Sequence, residues 1–389
     1  MSKLPAYIGP LAFGVKMGVI LPGTDLAAEI VAALQKVAAD GLLDDKDVIC
    51  VTESVVARAQ ENYVTLEQVA AEVKNKLKLA KNSRLAVVFP IASRNRFAMI
   101  LEGMAKAVPE GEVIVQLSYP CDEVGNQILS PRLAEKLTPK DGIISLEELA
   151  PEDCLHPVTR INYPLMYQEI IAAQGAKAKI IFANDPLAVL KFAPDGVIAA
   201  DIHNRRHTKE KISAQFANVI TLQELCNEGK NSSEWGLLGS NMSAGGKIKL
   251  APQNAGGFAQ ELQQQIAAAT GKKVEVLVYG DGAYKDPSTG IYELADPMPV
   301  FGKTAGFQGR FREGIKYKYV ADICYAEGKS REEIEAALAE QNLKALPDDQ
   351  MLTEGTTPRR IEDIIASLAD LVSGSADAGT PVIVVKGFL

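Results

Sequence analysis

KVEVLVYGDGAYKDPSTGIYELADP, residues 273–297, joins a strand pattern to an acidic turn. Val274, Val276, Leu277 and Val278 form a short run rich in β-branched side chains that ends at Gly280, the pattern of a buried strand. Asp281, Asp286, Glu293 and Asp296 follow among glycines and prolines, with Lys285 between the first two. In α/β proteins the loops beyond strand C-termini line the ligand crevice, so these four carboxylates are placed to hold a hard divalent cation. Lys285 is placed to neutralise a neighbouring phosphate. Any one of the aspartates also fits an ordinary turn, because Asp-Gly and Asp-Pro pairs cap their own backbone. Four together argue for a compensating cation, since crowded like charges repel.

Around this stretch lies a chain of 389 residues, 47% hydrophobic, able to bury a large core as two domains or one with an insertion. Its formal net charge is -8 and its 41 basic residues are scattered, which argues against an extended nucleic-acid-binding face. The cysteines, Cys50, Cys121, Cys154, Cys226 and Cys324, contain no C-x-x-C pair, so neither a zinc knuckle nor a redox dithiol is expected. An odd number of thiols fits a reducing compartment. The N-terminus lacks a charged leader with an apolar core, and Lys16 and Pro22 interrupt the nearest apolar stretch. A cytoplasmic chain without a membrane span is expected.

Residues 11–22 are expected to form a first strand, and Asp25 to open a helix with Leu26, Ile30, Ala33, Leu34 and Val37 on its apolar face. DVICVT, residues 47–52, reads as the next strand, and Thr65-Leu66-Glu67-Gln68 as a capping box for a helix to about Leu79. A strand from Arg84 to Phe89 would close a β-α-β unit. Further strands are expected over Glu112–Leu117, Lys179–Phe182 and Val197–Ala200, with helices over Tyr163–Gln174 and residues 258–269, the latter stopped by Gly271. No P-loop exists, because Pro297 stands where the motif needs its first glycine ahead of Gly302-Lys303-Thr304.

Three groups of basic residues invite an anion. Arg94 and Arg96 stand at the start of a helical pattern over 93–107, where positive charge opposes the macrodipole unless an anion intervenes. His203, Arg205 and Arg206 follow the 197–200 strand. The histidine spacing suits zinc, but the arginines would repel a cation, so an anion seat is the better fit. Thr356-Thr357-Pro358-Arg359-Arg360 opens a helix with the apolar stripe Ile361, Ile364, Ile365, Leu368, Leu371 and Val372. Hydroxyls, free amides and guanidinium groups there suit a phosphate or carboxylate. Each group also reads as solvated surface.

VTESVVARAQ (51–60), SRNRF (93–97), SYPCDEVGN (118–126), DIH (201–203), GLLGSN (236–241), VYGDGAYKDP (278–287), ELADP (293–297), GTTPRR (355–360) and SGSADAGTPVIVVKGF (373–388) occur in this order. Together they resemble the longer bacterial branch of the coenzyme F420-0:gamma-glutamyl ligase family. The resemblance implies a mixed α/β (α+β) fold, with mixed sheets, flanking helices and a large central insertion. Residues 1–117 would be an N-terminal α/β part, 118–235 the insertion that shapes the acceptor pocket, and 236–389 a metal- and nucleotide-binding part. The shorter archaeal members use GTP and Mg or Mn to join L-glutamate to an acceptor carboxylate, as homodimers. Their nucleotide-contacting hydroxyl and lysine correspond to Ser54 and Arg58, with Glu53 replacing a small hydroxyl. One metal-binding aspartate falls on Asn241, in a loop that also holds Ser243, and the other matches Asp281 with a one-residue shift. Their last loop becomes Gly374-Ser375-Ala376-Asp377-Ala378-Gly379.

The resemblance therefore implies a GTP- or ATP-dependent, amide-forming gamma-glutamyl ligase acting on a small-molecule acceptor. Asp281, Asp286, Glu293 and Asp296 are expected to hold the metal. Asp281, Lys285, Arg359 and Arg360 would serve catalysis. Glu53, Ser54, Arg58, Asn241, Ser243, Gly374, Ser375, Asp377 and Gly379 would contact the nucleotide, and Arg94, Arg96, His203, Arg205 and Arg206 the substrate. A folate-type acceptor, a metal-dependent phosphohydrolase and a non-catalytic metabolite-binding protein are the alternatives.

Overall fold

In a computed structural model, residues 7–137, 141–282, 296–312, 316–341, 359–373 and 379–389 are described. The chain opens with β1 (Leu11–Val15), α1 (Leu26–Ala39), β2 (Val48–Thr52) and α2 (Glu53–Ala59). Asp25 caps α1 by accepting from the Ala28 amide at 3.1 Å. Next come β3 (Tyr63–Thr65) and α3 (Leu66–Lys76), whose predicted capping box forms in both directions between Thr65 and Gln68. Then follow β4 (Arg84–Val88), α4 (Ala98–Ala107), β5 (Glu112–Leu117), α5 (Pro131–Ala134), β6 (Ile144–Ser145), α6 (Tyr163–Ala173), β7 (Lys177–Phe182), β8 (Gly196–Ala199), α7 (Arg205–Ser213) and β9 (Val219–Thr221).

These last six strands make one sheet, in the order β6-β7-β5-β4-β8-β9. All neighbours are parallel except β6 against β7. Parallel strands covered on both faces need continuous apolar runs, and alternate residues of β4 do go to opposite cores. Leu85 and Val87 join the core under α3, α4 and α6, whereas Ala86 and Val88 join the one under α7. From β4 the chain winds outward through β5 and β7, then returns to place β8 and β9 on the other side. The order reverses at the β4–β8 boundary.

The remainder begins with the hairpin β10 (Asn241–Ser243) and β11 (Lys247–Lys249), which pairs with β3. It continues through α8 (Ala255–Thr270), β12 (Glu275–Tyr279), β13 (Val300–Lys303), β14 (Phe311–Arg312), α9 (Tyr317–Ala326), α10 (Arg331–Gln341), β15 (Arg359–Arg360), α11 (Ile361–Ser373) and β16 (Val382–Lys386). A second sheet runs β1-β16-β2-β12-β13. Val276 and Val278 face α1 and α8, and Leu277 and Tyr279 face α11. Trp235 packs against the cores of both sheets and meets Phe301 edge-on, with ring centroids 6.2 Å apart.

Four expectations change. β2 and β4 enter different sheets, so they do not close a β-α-β unit; α3 follows β3 of the three-stranded sheet and feeds the six-stranded one. The expected boundary at 117 falls inside the six-stranded sheet, because β4 and β5 hydrogen-bond with strands of the 118–235 segment. The first strand stops at Val15 and residues 17–20 instead line a cleft. The last helix starts at Ile361, because Arg359 and Arg360 are held in a ladder with Arg312 and Phe311 and the Ile361 amide donates to the Arg310 carbonyl.

Candidate functional site

The five-stranded sheet sends every one of its strands to one edge. β2 and β12 are parallel, with Thr52 opposite Tyr279, so Glu53 and Ser54 emerge beside Gly280 and Asp281. The antiparallel β16 starts there, with Val382 opposite both Val51 and Val15, which brings in Gly379, Thr380 and the end of β1. β13 starts there too, with Val300 opposite Tyr279, and delivers Asp296. The last turn of α11 adds Asp370 and Ser373. Between them lies a cleft of about 720 Å³ lined also by Arg58, Asn241 and Arg96.

Charge is concentrated at its base. Arg96, in the turn before α4, donates to Asp281 at 2.5 Å and to Asp296 at 2.7 Å. Asp296 is 1% exposed, and its second oxygen accepts the Asp281 amide at 2.8 Å. Asp370 accepts the Gly282 amide at 2.8 Å. Glu53 is buried and paired with buried Lys249 at 2.9 Å. A Cβ on Gly280 would lie 2.3 Å from an Asp296 oxygen and 2.5 Å from the Phe301 ring, so only glycine permits this approach.

Among the described residues the cluster sets four acids, Glu53, Asp281, Asp296 and Asp370, against two cations, Arg96 and Lys249. Burial, and then Asp296, push the Asp281 carboxyl up to about 8 against the pull of Arg96; Asp370 and Glu53 add to the rise. Burial also raises Glu53, with Lys249 opposing it. Burial alone would favour neutral Arg96, but Asp296 and Asp281 hold its guanidinium firmly charged. Surplus charge on hard oxygen donors fits a divalent Mg or Mn ion. Among the described residues no three His, Cys, Asp or Glu side chains form a chelating cage. Magnesium does not require one, since it is commonly held by one or two carboxylates with substrate phosphates and water. The Thr380 hydroxyl is buried at the cleft wall with no partner among the described residues, as expected of a group that meets a ligand.

The cleft thus brings together Glu53, Ser54, Arg58, Arg96, Asn241, Asp281, Asp296 and Gly379 from the sequence expectations. Ser243 lies two residues along β10 from Asn241 and does not line it. Lys285, Asp286, Glu293, Gly374, Ser375, Asp377 and the Arg359 side chain lie outside the described residues. Arg96 is spent on two carboxylates instead of waiting for an anion. Arg360 does not reach the cluster. It sits at the start of α11, paired with Asp363 at 2.9 Å, whereas Asp370 at the other end of the helix touches the acidic turn. The ten residues from Ile361 to Asp370 span about 14 Å at ~1.5 Å each.

The 201–209 segment belongs to the other sheet. Arg205 is buried, with Nε and Nη2 on the Gln223 side chain at 3.0 and 2.8 Å and Nη1 on the Ile202 carbonyl. It serves structure, not an anion. His203 precedes α7, so it and His207 do not lie on one helical face; Arg206 and Arg94 are exposed. The expected anion seat already holds a carboxylate of this chain. Glu123 accepts the amides of Ile202, His203 and Asn204.

Lys249, Asp370 and Thr380 were not among the expected site residues. Asp370 leaves a trace in sequence, because an acid in a helix's last turn opposes the macrodipole; nothing local marks Lys249.

Comparison with curated proteins gives no match. The family model for F420-0:gamma-glutamyl ligase matches residues 14–387, a span that contains every residue lining the cleft. No described helix is long and apolar enough to cross a membrane. With the match running from β1 past β16, the chain belongs to the F420-0:gamma-glutamyl ligase family and is a ligase.

Proposed function

We propose that this ligase uses GTP or ATP to add L-glutamate, through a gamma-glutamyl linkage, to the carboxylate of an acceptor resembling coenzyme F420-0. A carboxylate is a poor acyl donor, because its leaving group would be oxide. Transfer of the nucleotide's terminal phosphoryl group makes it an acyl phosphate, which the glutamate amine attacks with release of phosphate. The observation that carries the reading is the single cleft at which the family-matched Ser54, Arg58, Asn241, Asp281 and Gly379 meet.

Roles follow from position. Arg58, exposed at the rim, faces phosphate charge, and Ser54 and Thr380 offer hydroxyls to it. Arg96 keeps Asp281 and Asp296 from repelling each other and fixes the turn after β12. Asp281 and Asp370 would hold Mg or Mn, with Asn241 as a neutral oxygen donor. Such an ion supplies charge neutralisation across the transferring phosphates. The insertion around the six-stranded sheet would shape the acceptor pocket. The homodimer and cytoplasmic location implied by the resemblance belong to the same proposal, and light scattering tests the first.

The test is phosphate release from GTP and ATP with manganese, omitting glutamate or acceptor in turn. Release that needs both is expected, and Asp281→Asn should lower it about 100-fold or more without changing the circular dichroism. Full release without glutamate or acceptor would make the chain a phosphohydrolase. Tight nucleotide binding with no turnover on any acceptor would make it a sensor.

A further inference from the structure

A second cavity lies on the six-stranded sheet, about 350 Å³ in volume, and shares no lining residue with the cleft. It opens beyond the carboxyl ends of β4, β5, β7 and β8, where Phe89, Ser118, Asn184 and Asp201 emerge. This is the boundary at which the strand order reverses, the place where open parallel sheets take their ligands.

Most polar groups around it are already committed. Asp122 accepts the amides of Ala92, Val124 and Asn126 and the Asn126 side chain. Glu123 is held by the amides ahead of α7. Asn184 exchanges hydrogen bonds with the Tyr119 backbone at 2.9 and 2.8 Å. Asp201 differs. It is 2% exposed; Oδ2 accepts the Thr208 hydroxyl at 2.8 Å, while Oδ1 is buried with no partner among the described residues. A buried acceptor left bare is unfavourable, so the arrangement calls for a donor from outside the described residues. Burial pushes its carboxyl up to about 7 against the Thr208 hydrogen bond, with Glu123 adding to the rise.

α7, which adjoins Asp201 through Thr208, adds basic groups to the lining. His207 and Lys211 are one helical turn apart on α7, on the face that also carries Asn204 and Thr208. Both are exposed, and neither has an ion pair among the described residues. The amides of Ile202, His203 and Asn204 ahead of α7 are taken by Glu123, and His207 and Lys211 are the basic side chains in the lining that can meet an anion. The acidic side, with Asp122 and Glu123 behind Asp201, favours a cationic donor over a neutral one.

We propose that this cavity binds a small zwitterion of the amino-acid class, its ammonium on Asp201 and its carboxylate between His207 and Lys211. The site is separate from the ligase cleft and does not rest on the nucleotide-dependent reading.

The experiment is calorimetric titration of the full chain with the proteinogenic L-amino acids one at a time, without nucleotide or metal, on wild type and three variants. Binding of one or a few, weakened about ten-fold or more in Lys211→Gln and in Asp201→Asn but unchanged in Asp281→Asn, is expected. Lys211 is exposed, so its variant should fold even if Asp201→Asn does not. No binding by any amino acid overturns the proposal. So does binding that survives Lys211→Gln and disappears in Asp281→Asn, which would place the ligand in the cleft. Failure of nucleotide-dependent amide formation with this binding intact would overturn only the ligase reading.

Discussion

Arg96 and Asp281 stand 185 residues apart in sequence and 2.5 Å apart in space. One belongs to the turn after β4 in the six-stranded sheet, the other to the turn after β12 in the five-stranded sheet. Their contact, extended to Asp296, joins the two halves of the molecule at the floor of the cleft. The guanidinium is mostly buried, at 18% side-chain exposure, so it is screened little by solvent.

Replacing Arg96 by glutamine leaves Asp281, Asp296 and Glu53 crowded with only Lys249 to balance them. Removing one member of a buried pair typically costs about 3 kcal/mol or more. Urea unfolding should show the unfolding free energy falling by that much, and Arg96→Lys should recover part of it, since one ammonium cannot span both acids as a planar fork does.

Gly280→Ala drives a methyl into Asp296 and Phe301. Overpacking of this kind costs about 1–3 kcal/mol, and the displaced Asp296 should release the Asp281 amide and Arg96 together. Ligase activity should fall with stability; a variant as stable and active as wild type would mean the turn relaxes freely.

Asp201 gives a pH signature. Its carboxyl moves from an ordinary 3.8 to about 7 in the folded chain. Between these values the native state keeps a proton that the unfolded chain has released, so stability is unaffected below the lower value and falls as pH rises through the window. The full loss is roughly 4 kcal/mol above the upper value. Urea midpoints measured at about pH 5 and about pH 8 should differ in that direction, and Asp201→Asn should narrow the difference, leaving the share that the raised Asp281 carboxyl contributes over the same window.

Arg360→Ala should be nearly silent. Its partner Asp363 is three residues away on the surface of α11, and such pairs contribute about 1 kcal/mol at most. Unchanged unfolding and unchanged phosphate release are expected. A large drop in turnover alone would return the start of α11 to the active site.

Much of this architecture is legible locally. VICVT, EVIVQL and VIVVK read as strands because continuous apolar runs are what doubly covered sheets require, and Thr65 and Gln68 announce α3 by capping chemistry alone. Sheet membership is not local. Nothing in residues 47–89 says that β2 and β4 part company, since that choice is made by β12 and β5, far along the chain. The same holds for charge. Arg96 reads as a free cation until partners 185 and 200 residues away are seen, and Arg205 until Gln223 is. The acidic turn at 281 is readable as a candidate site because its strand and its acids are adjacent in sequence. Lys249 is not, because its meaning comes only from Glu53, 196 residues away.

The parallel pairing of β2 with β12 has a further consequence. A main-chain ladder, indifferent to side-chain identity, sets the spacing between the segment bearing Ser54 and the one bearing Asp281. Residues at the strand tips can therefore be exchanged singly while the scaffold keeps its dimensions. Adaptation to a new acceptor becomes a matter of editing short connecting segments around a rigid frame.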